Sequence, residues 1–203
     1  MLSCDGTETP TPWRVGVSGG AMHTHIGFDD DVEADLRQAT VTALLGWHPS
    51  ARLGLDAGVG AVLGGRVEID DMETEFDPGL LGTVTGSWLT LPEGESRPFV
   101  LLSLTASVLT MTADSERFTA LDLRVGAVVG KTFWERFTPY VAARAFGGPV
   151  SWTIAGQDVT GADTHHYSVG AGASLRLPKR IDAFVEGSPL GEQSLSIGVG
   201  IGI

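Results

Sequence analysis

The sequence predicts an all-β chain that closes into an antiparallel, up-and-down barrel of about ten strands, with eight as the smaller alternative. Three observations carry this. Apolar residues recur at every second position along most of the chain. The positions between them are rich in glycine, serine and threonine. Short connections alternate with longer, acidic ones.

In the first strand, 12–24, Val15 and Val17 alternate with Arg14, Gly16 and Ser18. In 35–48, Val41, Ala43, Leu45 and Trp47 alternate with Thr40, Thr42 and Gly46. The run 52–67 is longer than an ordinary globular strand: Leu53, Leu55, Ala57, Val59, Ala61, Leu63 and Val67 lie on one face, with Arg52, Asp56, Arg66 and four glycines on the other. Segments 79–91 and 98–112 are noisier, yet apolar and bounded by turn residues. The period is clean again in 117–133, where Leu121, Leu123, Val125, Ala127 and Val129 oppose Asp122, Arg124 and Gly126. After the noisier 138–153, strand 164–178 sets Tyr167, Val169, Ala171, Ala173, Leu175 and Leu177 against Ser168, Gly170, Gly172, Ser174 and Arg176. The short 180–187 precedes 192–203, where Leu195, Ile197, Val199, Ile201 and Ile203 alternate with serine and glycine.

The connections at 48–51, 92–96, 134–137 and 178–179 are short, whereas the other set, 25–34, 68–78, 113–116, 154–163 and 188–191, is mostly longer and acidic. Consecutive antiparallel strands place all the short turns at one end, the asymmetry of outer-membrane barrels.

Composition narrows the function classes. A chain of 203 residues suits one domain, read as a tail over 1–11 and a barrel over 12–203. A net charge of −12 excludes a phosphate-binding nucleic-acid surface. No apolar run reaches the length of a transmembrane helix. The N-terminus lacks a basic start and an apolar stretch, which suggests a mature or shortened form. Cys4 is the single cysteine, so no internal disulfide forms; it is either a free thiol or the end of a Leu-Ser-Cys acylation box.

Alternation alone also fits a soluble barrel with its apolar face inward. Three details favour lipid outside. The polar face is crowded with small residues, as a narrow interior requires. Its charges come in both signs, Arg52, Asp56, Arg66, Asp122, Arg124, Arg144, Arg176, Asp182 and Glu186, and can pair across a lumen. Aromatics gather near strand ends as an expected interfacial girdle: Trp13, Trp47, Trp88, Phe99, Phe133, Phe137, Tyr140, Trp152 and Tyr167.

On these patterns the chain after Thr11 resembles the small Gram-negative outer-membrane β-barrels, the OmpA-like and OmpW-like porin-type class. Its last strand, Gln193 to Ile203, resembles the C-terminal signal read by the barrel-assembly machinery, although that signal usually ends in an aromatic and this one ends in Ile203. The resemblance implies an outer-membrane location, with membrane lipid, lipopolysaccharide and the assembly machinery as partners.

Candidate sites are sparse, and no cofactor is expected. Asp163 and His165, with His166 beside them, make an Asp-x-His step resembling that of the omptin proteases, with Asp29 and Asp31, or Asp70 with either neighbouring acid, as a facing acidic pair. Acidic loops around Asp29, Asp30, Asp31, Asp70 and Asp71 could hold divalent ions bridging to lipopolysaccharide phosphates, but lack the spacing of a calcium loop. His23 and His25 lack further metal ligands recognisable in the sequence, so they are expected to be surface residues. The expected role is therefore non-enzymatic, structural or loop-mediated binding. A narrow passive pore is the first alternative and an omptin-like protease the second.

Overall fold

The computed structural model describes residues 12–28, 32–69, 72–113, 116–154 and 157–203. Cys4, the tail and the acidic residues Asp29, Asp30, Asp31, Asp70 and Asp71 lie outside them. Twelve strands form one antiparallel sheet: β1 Trp13–Phe28, β2 Val32–Trp47, β3 Leu53–Ile69, β4 Met72–Leu91, β5 Phe99–Ala113, β6 Glu116–Gly130, β7 Phe137–Gly147, β8 Pro149–Ile154, β9 Gln157–Asp163, β10 Tyr167–Leu177, β11 Ile181–Gly191 and β12 Gln193–Gly202. Ten of them, β1–β7 with β10–β12, close the wall when β12 pairs with β1 from Arg14–Gly202 to His23–Gln193. Closure leaves no unpaired edge facing hydrocarbon.

The barrel changes strand number along its axis. Strand β8 continues β7 along β6, and β9 returns against β8 and then pairs with Ile26, Gly27 and Phe28 of β1. Beyond the tip of the β11–β12 hairpin, the ring is therefore closed by β1–β6, β8 and β9, eight strands rather than ten. The sequence segments 138–153 and 154–163, expected as one strand and one loop, hold β7, the break at Gly148, and the β8–β9 hairpin. A side chain at Gly148 would put its Cβ 1.8 Å from the Leu121 carbonyl oxygen, which explains the glycine.

The polarity of the wall is inverted relative to a soluble protein. Outward residues at mid-height include Val17, Val41, Val59, Val84, Leu104, Val125, Val141, Val185 and Ile197, all exposed; Val59 is 73% exposed. Arg14, Asp56, Asp122, Arg124, Arg144, Asp182 and Glu186 point into the lumen with glycine, serine and threonine. A contiguous belt of exposed valine and leucine is tolerated only where the surrounding solvent is itself apolar.

Arg66 departs from the expected lumen set. Ala39 pairs with Gly64 while Thr40 pairs with Val62, so Leu63 is an extra residue in β3. This bulge, with Gly64 at φ +138°, exchanges the two faces above it. Val67 is thereby buried and Arg66 stands outside, paired with Glu73 and Glu75 on the neighbouring strand. Arg52 departs as well: it precedes β3 in the exposed turn, where its carbonyl accepts a bond from Leu89.

Three expected girdle aromatics also face inward. Nearness to a strand end is not enough, because the pleat decides the side. Phe99 packs with Leu89, Tyr140 lies on the arginine-bearing face of β7, and Trp152 is only 3% exposed inside the ring. Trp13, Trp47, Trp88, Phe133 and Phe137 are exposed outside at the end holding the termini and short turns, with the Trp13 and Trp47 rings 6.5 Å apart. Trp134, 83% exposed in the turn before β7, joins them there. Tyr167 is exposed toward the other end.

Candidate functional site

The lumen holds three polar clusters beneath an apolar one. At the end with the termini, Arg14 contacts Asp182, Arg176 approaches Asp182 at 3.8 Å, and the buried His48 lies 3.3 Å from Asp56. Higher up, Arg144 bonds Glu186 at 2.6 Å, and the Tyr140 hydroxyl donates to the same carboxylate. Gly172 makes the room for that ring: a Cβ there would lie 2.6 Å from the tyrosine oxygen.

The third cluster sits at the level where ten strands become eight. Both terminal nitrogens of Arg124 donate to Glu192, at 2.7 and 2.9 Å, and its Nε donates to Asp122 at 3.1 Å. The guanidinium also rests on the Phe146 ring, 4.3 Å from its centre. Glu192 belongs to the hairpin tip between β11 and β12, so its place in the network depends on fold rather than on strand pattern. Arg14 and Glu192 were absent from the expected lumen set.

Above these pairs the lumen is apolar. Ile26, Leu36, Val67, Phe76, Met111, Phe118 and Trp152 are all buried and form one cluster. Phe76 lies 5.4 Å from Phe118 and 5.5 Å from Trp152, centre to centre. Cavities of about 210 Å³ beside Arg124 and Glu192, and about 110 Å³ near Arg14 and Asp182, remain in the lumen.

The Asp-x-His step does not form a dyad. The Asp163 carboxylate accepts from the Thr24 hydroxyl at 2.6 Å and from the backbone N–H of His165 at 2.8 Å. Burial pushes this carboxyl above its ordinary range, and the two hydrogen bonds oppose that rise. The His165 ring instead stands against His25 and Tyr167, with centres at 5.5 and 6.5 Å. Strand β9 ends at Asp163, two residues before His165.

The outer wall carries a second concentration of polar groups. His23, Arg37, Arg66 and Glu75 are successive cross-strand neighbours on β1 to β4. Together they mark the upper edge of the apolar belt. One step further, His25 lies directly across from Asp35, and Asp35 from Glu68.

A closed, inside-out antiparallel barrel of this kind defines an outer-membrane β-barrel protein. Among solved structures it is similar to the outer membrane protein OprG from Pseudomonas aeruginosa, at 11% identity over 97% of this chain and 98% of that one, TM-score 0.52. It is also similar to the transport unit of the autotransporter AIDA-I from Escherichia coli, at 11% identity over 97% and 91% of the two chains, TM-score 0.50. At such identity the likeness is one of fold alone. No family model and no curated protein matches the sequence.

Proposed function

We propose that the protein is a non-conducting, non-enzymatic barrel of the bacterial outer membrane, serving a structural role or holding an envelope component at its loop end. The observation that carries this reading is the filled lumen: an apolar cluster around Phe118 lies above three sets of charge pairs. Water and ions passing along the axis would have to cross both. The Asp163 carboxylate bonds the backbone N–H of His165, while the His165 ring nitrogen bonds the Thr164 hydroxyl, which supports a role without hydrolysis.

The belt supports membrane lipid as the constant partner. Arg37 is exposed at its upper edge with no ion-pair partner among the described residues, where a lipopolysaccharide phosphate would lie. The outward row Leu195, Ile197, Val199 and Ile201 on the closing strand is the pattern that the barrel-assembly machinery would read.

A narrow passive pore is the second reading, supported by the two lumen cavities, one of which borders the Arg124–Glu192 pair. Planar-bilayer recordings on the refolded, tag-free protein distinguish the two. The proposal expects no channel events above the lipid background at 100 mV and 1 M KCl. Regular openings in the wild-type protein would replace it by the pore reading.

A further inference from the structure

We propose that His23, His25 and Asp35 form a site for a divalent transition-metal cation of the zinc, copper or nickel class, on the outer wall where β1 meets β2. Strand geometry assembles it. His23 and His25 are two residues apart and share the outward face of β1, while Asp35 is the cross-strand partner of His25 on β2. One ligand atom from each side chain can be chosen so that all three lie within 4.8 Å of one another. Asp35 Oδ1 is the common point: it contacts His25 Nδ1 and lies 3.6 Å from His23 Nε2.

A second observation is independent of the clustering. His23 Nε2 is shut off from solvent and has no hydrogen-bond partner, and the equally enclosed Asp35 Oδ1 has only the contact with His25. A buried ring nitrogen left this way is costly. A simple ion pair accounts for one imidazole on the carboxylate, but not for two rings converging on the same oxygen. A cation taking imidazole nitrogen and carboxylate oxygen satisfies all three atoms, and mixed nitrogen and oxygen ligands suit zinc, copper or nickel better than calcium or magnesium.

Water or His165 would complete the coordination. The His165 ring lies 5.5 Å from that of His25, and Thr164 ties the two segments by donating to the His25 carbonyl at 3.0 Å. The surrounding charges are mixed: Arg37 is opposite His23, and Glu68 is opposite Asp35. Bound there, the ion would staple β1 to β2 at the rim without using the lumen, so the site stands whether or not the barrel conducts.

The test is zinc titration of tag-free, refolded full-length protein, with the chelator-stripped sample followed by calorimetry. Cobalt is the second probe, because its visible bands report nitrogen and oxygen ligation. One zinc per chain is expected, with His25→Ala and Asp35→Asn each weakening binding at least about tenfold and removing the cobalt bands. Asp163→Asn, on the inner face, should leave both unchanged. Because His25→Ala could perturb the rim, the heat-dependent gel shift of each variant is checked first, and His23→Ala serves if another fails to fold. Equal zinc affinity and equal cobalt spectra in wild type and a folded ligand variant would overturn the proposal, as would no binding by the wild type.

Discussion

Arg124 grips Glu192 across 68 residues of sequence, through two parallel bonds of 2.7 and 2.9 Å. The acid comes from a hairpin tip and the base from the middle of β6, so the pair pins the short β11–β12 hairpin beneath the strand that crosses over it. Glu192 is 3% exposed. A carboxylate so buried depends on its partner, and removing only the base leaves the charge stranded.

Arg124→Ala is therefore expected to cost about 3–5 kcal/mol of stability. Urea unfolding from lipid vesicles, followed by tryptophan fluorescence, measures it. The pair Arg124→Met with Glu192→Met should regain most of that loss, because no unpaired charge remains. A loss below about 1 kcal/mol in the single variant would mean that water reaches Glu192 freely.

Phe118 is fully buried and touches both Phe76 and Trp152, so it is the centre of the apolar seal. Phe118→Ala should lower stability by about 3–5 kcal/mol. If the seal blocks the axis, this variant also gives ion conductance that the wild type lacks. Bilayer recordings of a folded but silent variant would place the barrier at the charge pairs instead.

Depth along the belt offers a third expectation. Val59→Arg puts a charge near mid-height on the lipid face and should destabilise by about 2–4 kcal/mol, whereas the same change at Leu63, near the edge, should cost about 0–1 kcal/mol. Equilibrium unfolding in vesicles reads the difference. Equal costs at the two positions would contradict the placement of the belt.

At the hairpin tip, Gly191 has φ +74°, and a Cβ there would fall 1.9 Å from the Tyr167 carbonyl oxygen. Gly191→Ala should destabilise by more than the roughly 1 kcal/mol of backbone strain alone, because the tip must move and carry Glu192 away from Arg124. A double-mutant cycle with Glu192→Gln tests the link: the two losses should fall short of adding. Full additivity would separate the glycine from the ion pair.

Most of the wall was legible in the sequence because the side-chain period of a strand is two, and the belt follows directly from it. Val15 to Ala21 and Leu121 to Val129 face as their alternation predicts. The reading failed where the period is interrupted. The extra Leu63 sent Arg66 outside and Val67 inside, and a bulge of one residue leaves little trace in a sequence rich in glycine on both sides of it. The aromatics failed for a different reason: Phe99, Tyr140 and Trp152 were assigned by position along the strand, although Phe99 shares parity with Ser103 and Tyr140 with Arg144 on the polar face. Trp152 shares it only with the apolar Val150 and Ile154.

The sites were less legible than the wall. Arg14 shares a face with Gly16 and Ser18 and could have been added to the lumen set by parity alone. Glu192 could not, because nothing in the local sequence tells that a hairpin tip folds beneath a crossing strand. The expected ten strands close the barrel, and 180–187 belongs to a full strand, so the eight-strand alternative does not apply. The eight-strand ring above the β11–β12 tip comes instead from β8 and β9. His23 and His25 lacked a third ligand in sequence; Asp35 becomes one only through the β1–β2 register.

The most direct test of a lipid-facing, closed barrel is electrophoresis of the protein from isolated outer membranes, with and without boiling. A closed barrel resists detergent until heated, so the account predicts a membrane-located band that shifts on boiling. A soluble periplasmic protein with no heat shift would contradict it, because the exposed belt of Val59, Leu104 and Val125 would then have no solvent to face.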